Sequence, residues 1–86
     1  MRYLFTKRFA KQRNKLPDKT KATCDERLRI FLQDQFHPTL HNHKLHGTYA
    51  DCRSININGD IRAVYWHVEP DLVEFVAIGT HSELYD

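Results

Sequence analysis

The residues best suited to moving protons in this chain are its histidines, six in 86 residues, four of them between positions 37 and 46. The run His41-x-His43-x-x-His46 invites a metal, but it has no cysteine or carboxylate at a ligand spacing and fits no standard pattern. No metal is expected there. The same histidines read either as exposed loop residues or as acid–base groups, because histidine titrates near neutrality. With three glycines in the whole chain, and no Walker loop, G-x-S-x-G or H-E-x-x-H, phosphate cradling by backbone is not expected either. Catalysis would have to come from histidine, arginine, lysine, aspartate and tyrosine side chains, with no cofactor.

Arginines supply the second chemical feature. Asn58-Gly59 separates Ser54-Ile55-Asn56-Ile57 from the run Ile61 to Val68, a strong short hairpin signal. A two-residue turn there sets Ile57 opposite Asp60, Ile55 opposite Arg62 and Arg53 opposite Val64. Arg53, Asp60 and Arg62 then share a face with Val64, Trp66 and Val68. Two unpaired guanidiniums about 7–8 Å apart at the backbone would hold a phosphate; Asp60 paired with Arg62 would instead make a structural ion pair.

The third feature is charge. Residues 1–21 hold eight basic side chains against Asp18 alone, a local +7, while residues 22–86 carry −5; the net +2 conceals both. Such a segment has the electrostatic character of a phosphate-binding surface, or of a solvated helix face.

These groups must be positioned by few elements. Met1 to Phe5 reads as a strand, and Thr6 as the N-cap of a helix over 7–15 that ends at Leu16-Pro17. Asp18 or Thr20 can cap a second helix reaching about Phe36, with an apolar stripe of Cys24, Leu28, Phe31, Leu32 and Phe36. Residues 37–50 lack periodicity. The hairpin follows, then a turn at Glu69-Pro70-Asp71, a strand from Leu72 to Ile78 and a tail over 79–86. The order β-α-α-β-β-β predicts an α+β fold, a helical hairpin packed on a mainly antiparallel sheet.

Eighty-six residues predict one domain over 1–86, with 41% apolar and 12% aromatic residues to form a thin core. Large barrels and two-half dinucleotide folds are excluded by length. No apolar run reaches a membrane span and no secretory h-region follows Met1, so a cytoplasmic location with no membrane contact is expected. Cys24 and Cys52, outside any C-x-x-C spacing, read as reduced thiols.

From His43 onward the chain resembles the YafQ-like mRNA endonucleases of the RelE toxin superfamily. His43-x-Leu45-x-Gly47, Arg53, Gly59-Asp60-Ile61-Arg62-Ala63-Val64-Tyr65 and Gly79-Thr80-His81-Ser82-Glu83-Leu84-Tyr85 are similar to that family's motifs, in order. The resemblance implies metal-independent cleavage of messenger RNA on the ribosome and neutralisation by a cognate antitoxin. It implies His81 as general acid, His43 assisting the base or holding phosphate, Asp60 in base or orienting work, and Tyr85 stacking near the scissile nucleotide. Arg62 resembles the strand arginine of RelE-type members and joins the catalytic set. The RNA-contacting set is then Arg53, Lys44, Tyr85, Lys7, Lys11, Arg13 and Lys15. The chain departs from the family at Asn56, Ile61 and Ala77, where YafQ-like toxins have histidine, tryptophan and arginine. Two other classes stay open: a toxin of the same fold that works by binding alone, as ParE-like relatives do, and a nucleic-acid-binding module.

Overall fold

A computed structural model describes residues 1–85. Its strands are β1 (Arg2–Phe5), β2 (His43–Lys44), β3 (Arg53–Asn58), β4 (Ile61–Glu69) and β5 (Leu72–Thr80); its helices are α1 (Lys7–Asn14), α2 (Asp18–Gln33) and α3 (His81–Tyr85). Short 3₁₀ turns occupy Pro38–Leu40 and Gly47–Tyr49. The five strands form one sheet in the order β1-β5-β4-β3-β2, antiparallel except for the parallel pair β1–β5. This is the predicted α+β architecture, with β2 and α3 added in stretches expected to be irregular. The last residue of the expected tail, Asp86, lies outside the described residues.

Thr6 starts α1 by local chemistry. Its hydroxyl accepts from the Phe9 N–H at 3.0 Å and donates to the Val76 carbonyl at 3.2 Å, so the cap also fastens the helix to β5. Phe9 is fully buried, with its ring 4.7 Å from that of Phe5 and 5.6 Å from that of Phe75. Burying such a side chain contributes roughly 1.5–3 kcal/mol. Helix α2 begins at Asp18 with Pro17 before it and no side-chain cap, so neither Asp18 nor Thr20 plays the expected capping role. It also stops at Gln33, short of Phe36. Asp34 is extended, and its carboxylate accepts from the Phe36 N–H at 3.0 Å, a local bond that competes with the helix.

The hairpin register differs from the expected one. The turn is Gly59-Asp60, and the pairs are Arg53↔Tyr65, Ser54↔Val64, Ile55↔Ala63 and Asn56↔Arg62, with a bulge before Asn58↔Ile61. Burial decides between the two. Ile55, Ala63 and Tyr65 are all fully buried, and the expected pairing would have set Arg62 against Ile55 inside that core. Arg53 and Arg62 consequently lie on opposite faces of the sheet. The shared-face arginine pair does not form.

Each face has its own cluster. Under the helices lie Phe9, Cys24, Leu28, Phe31, Ile55, Tyr65, Phe75 and their neighbours. On the other face Leu45, Val64, Ala77 and Leu84 pack together, with Tyr49, Cys52, Val76 and Tyr85 at their margin. Helix α3 is the only helix over that second face among the described residues, and it covers one end. At the opposite end Leu4, Trp66 and Val68 are exposed.

Candidate active site

The face away from the helical hairpin gathers several of the predicted groups. His43 on β2 is paired with Ser54 on β3, and Asn56 on β3 is paired with Arg62 on β4, which is paired with Gly79 on β5. Opposed residues share a face, so His43, Asn56 and Arg62 project to the same side. Strand spacings place the His43 and Arg62 backbones about 12 Å apart, a gap that their side chains and a phosphate can span. Two residues beyond Gly79 the chain enters α3 at His81, which is exposed.

His43 is held in a defined tautomer. Its Nδ1 lies 2.9 Å from the His41 carbonyl oxygen, and a carbonyl only accepts, so Nδ1 donates. In the neutral ring Nε2 then keeps its lone pair, the state a general base needs. His41 itself takes a left-handed conformation at φ 45°, which closes the preceding 3₁₀ turn and aims the chain into β2.

His81 is positioned by a capping box. The Thr80 hydroxyl accepts from the Glu83 N–H at 3.1 Å, and the Glu83 carboxylate accepts from the Thr80 N–H at 2.8 Å. That backbone bond, with the Thr80 side chain, holds the Glu83 carboxyl below its ordinary range. Gly79 leaves room for the arrangement: a Cβ there would meet Glu83 Oε1 at 3.1 Å. The His81 ring packs edge-on against Tyr85, with centroids 4.7 Å apart.

Arg62 is half-buried and donates from Nη1 to the Gly59 carbonyl at 2.9 Å. No carboxylate approaches it within ion-pair distance among the described residues, so the expected alternative of an Asp60–Arg62 pair does not form. Asp60 is exposed in the turn itself. The guanidinium thus keeps its charge for an anion on the open face.

Arg53 has a different occupation from the expected RNA contact. On the helix side of the sheet its Nε donates to Asn42 Oδ1 at 2.7 Å, and its guanidinium lies over the Phe36 ring, 5.3 Å from the centroid. Asn42 in turn donates to the Tyr65 hydroxyl at 2.7 Å and to the Gln35 carbonyl at 2.8 Å. Burial pushes the Tyr65 hydroxyl pKa up, against the pull of Asn42 and Arg53. Asn42, which sequence reasoning passed over, is therefore the clamp that ties the segment before His43 to the sheet. Nothing in periodicity marks such a polar hub.

The basic helix divides in the same way. Lys7, Lys11 and Lys15 are exposed, whereas Arg13 donates from Nη2 to both carboxylate oxygens of Asp25 on α2, each at 2.8 Å, and is committed to the helical hairpin. Lys15 lines a groove of about 220 Å³ with Gln12, Gly79 and Glu83, so the basic surface runs up to the start of α3. Lys44 is exposed on the edge strand β2. Among the described residues no three histidine, cysteine, aspartate or glutamate side chains are grouped to hold a metal ion. Both cysteines are free, and burial pushes the Cys24 thiol up to about 11.

A helical hairpin on one face of a five-stranded sheet, with a histidine-bearing edge and a short helix on the other, is the fold of small bacterial toxins. The structure of YafQ from E. coli superimposes with a TM-score of 0.82 over 100% of both chains at 15% identity. A YoeB/ParE toxin from Agrobacterium tumefaciens gives 0.77 at 16% identity, covering 94% of this chain and 99% of its own. YafQ in the E. coli DinJ–YafQ toxin–antitoxin complex gives 0.74 at 19% identity, covering 98% and 96%. The chain belongs to the YafQ family, bacterial toxins of type II toxin–antitoxin systems, whose family model matches residues 1–86. A search of curated proteins finds no significant match. No helix of the described residues is long and apolar enough to cross a membrane.

Proposed function

We propose that this toxin is an endoribonuclease that cuts messenger RNA on the ribosome in the cytoplasm, through attack of a 2′-hydroxyl on the adjacent phosphate. The observation that carries the reading is the open face. His43, with a free Nε2, and Arg62, without a carboxylate partner among the described residues, project to that face, and His81 begins the short capped helix that packs on it through Leu84.

The chemistry divides among them. His43 Nε2 takes the proton from the 2′-hydroxyl, with Asp60 orienting from the turn. Arg62 binds the phosphate and the charge that grows on its non-bridging oxygens. His81 in its protonated form donates to the departing 5′-oxygen, leaving a 2′,3′-cyclic phosphate and a free 5′-hydroxyl. Every proton is carried by a side chain, and the metal-independent route needs no other group. Lys7, Lys11, Lys15 and Lys44 contact ribosomal or messenger RNA phosphates. A cognate antitoxin neutralises the protein, as the DinJ–YafQ complex illustrates for its own toxin.

Asn56 supports a second reading. It is half-buried opposite Arg62, in the place where the resemblance implies a histidine, and an amide transfers no proton. On that reading the protein inhibits by binding. A reconstituted translation reaction with added protein separates the two. New 5′ ends mapped only on translated message support the nuclease; arrested translation with intact message supports binding; neither effect refutes both.

A further inference from the structure

Strand β2 has two residues, so the chain on either side of it decides where its first residue, His43, points. Leu40 is buried in the cluster under the helices and Leu45 in the cluster on the opposite face, and the segment between them passes from one side of the sheet to the other. Two apolar anchors fix the position of that segment but leave it free to roll about its own axis. A polar side chain removes the freedom. Asn42 donates from Nδ2 to the Gln35 carbonyl at 2.8 Å and to the Tyr65 hydroxyl at 2.7 Å, and its Oδ1 accepts from Arg53 Nε at 2.7 Å.

The amide fits one way round only. A carbonyl accepts and a guanidinium donates, so a flipped amide would set oxygen against oxygen at Gln35 and nitrogen against nitrogen at Arg53. Its partners are themselves held: Tyr65 is fully buried, and Arg53 is paired with it across β3 and β4. Burial raises the Tyr65 hydroxyl pKa, which keeps it a neutral partner. The planar peptide that joins His41 to Asn42 carries the carbonyl oxygen that lies 2.9 Å from His43 Nδ1. One end of that plane is set by the left-handed backbone of His41, φ 45°, and the other by the bonds of Asn42. Asn42 makes those bonds on the helix side of the sheet, while the His43 ring stands on the other.

A ring released from that carbonyl takes the form that imidazole favours in water, with the proton on Nε2 and no lone pair there to receive another. We infer that Asn42 is the positioning residue of the base: acting through the peptide between residues 41 and 42, it holds the carbonyl that keeps the His43 proton on Nδ1 and leaves Nε2 open. The inference rests on the ribonuclease reading for the use made of Nε2. The tautomer itself is a property of the fold and is read without substrate. Tyr65 in the core and Arg53 on β3 thereby contribute to the state of a histidine on the opposite face.

The test is the nitrogen-15 NMR spectrum of the intact protein labelled in its histidines, recorded at alkaline pH so that the rings are neutral. His43 is identified by its absence from the spectrum of His43→Gln. The parent should carry the His43 proton on Nδ1. Asn42→Ala should shift the ratio toward Nε2–H by about 5- to 150-fold, the effect of leaving buried polar partners unpaired. Asn42→Asp should keep the parent pattern, because a carboxylate still accepts from Arg53 Nε and the Tyr65 hydroxyl can donate to it. Tyr65→Phe keeps the core ring and removes one partner; it should shift the ratio about 2- to 10-fold in the same direction, and it carries the test if Asn42→Ala does not fold. A parent with the His43 proton on Nε2 overturns the assignment. So does a parental ratio in folded Asn42→Ala or, where that variant does not fold, in Tyr65→Phe, and so does an Asn42→Asp spectrum that matches the alanine one. The expected pattern in a protein that leaves translated message whole refutes the nuclease reading alone; cleavage by a protein with the His43 proton on Nε2 refutes the positioning role alone.

Discussion

The capping box that holds His81 makes a quantitative prediction for Thr80→Ala. The substitution removes the hydroxyl that accepts from the Glu83 N–H. Loss of such a cap costs about 1 kcal/mol, which multiplies the undocked population of the helix about fivefold. Helix α3 has five residues, too few to persist alone, and its anchors are Leu84 and Tyr85 on the second cluster. The effect should therefore be local. Amide hydrogen exchange at residues 82–85 should quicken about fivefold while amides of α2 and β4 keep their protection, and Thr80→Ser should restore the parent pattern. The same box sets a pH dependence. The Glu83 carboxyl is depressed on folding, chiefly by the Thr80 N–H, so its contribution is present above its unfolded value and is lost as pH falls through the folded one. Exchange in α3 should accelerate over that acid range, and Glu83→Gln should flatten the response. Uniform acceleration across the sheet, or none in α3, would refute the view that the box holds this helix locally.

Other substitutions separate chemistry from support. His81→Asn should leave the fold intact and lower single-turnover cleavage of ribosome-bound message by about 10²–10⁴-fold, the usual worth of a general acid; parental cleavage removes it from the mechanism. Arg62→Ala should slow the chemical step with little change in melting temperature. Arg53→Ala should instead destabilise the fold by about 1–3 kcal/mol in denaturant titrations, because Asn42 loses its partner; the reverse pattern would exchange the two roles. Replacing Lys7, Lys11 and Lys15 together with Gln should weaken ribosome association and reduce its salt slope by up to about one log–log unit per lost contact, without moving the cut position. An unchanged slope would make these lysines a solvated face only.

Much of the fold was legible because it is written in local patterns: Thr6 before an amphipathic run, proline after Leu16, alternation through β4. The register was not. Alternation alone allows two pairings one residue apart, and the bulge between Asn56 and Asn58 that selects the observed one leaves no mark in composition. That single step moved Arg53 from a proposed phosphate site to a structural clamp. Strand β2 has two residues, fewer than any periodicity can reveal, yet it carries His43. The Thr80-x-x-Glu83 box, by contrast, stood in the sequence in readable form, within a tail to which no element was assigned. His43 and His81 were found by resemblance; Asn42 and Tyr49 sit in a stretch without rhythm, where only coordinates place them.

The parallel pairing of β1 with β5 bears on when this toxin becomes dangerous. Arg2 is registered with Leu72 and Phe5 with Phe75, so the earliest strand waits for one of the latest. Strand β5 also lies between β1 and β4, and Phe75 joins the core beneath the helices. A nascent chain can make α1 and α2 early, but they have only part of a sheet to rest on until residues 72–80 have left the synthesis tunnel. Long-range pairing of this kind slows folding and delays it until β5 has emerged. No active copy of the toxin therefore exists until those residues have emerged, and an antitoxin present at that moment meets the protein as it first acquires its shape.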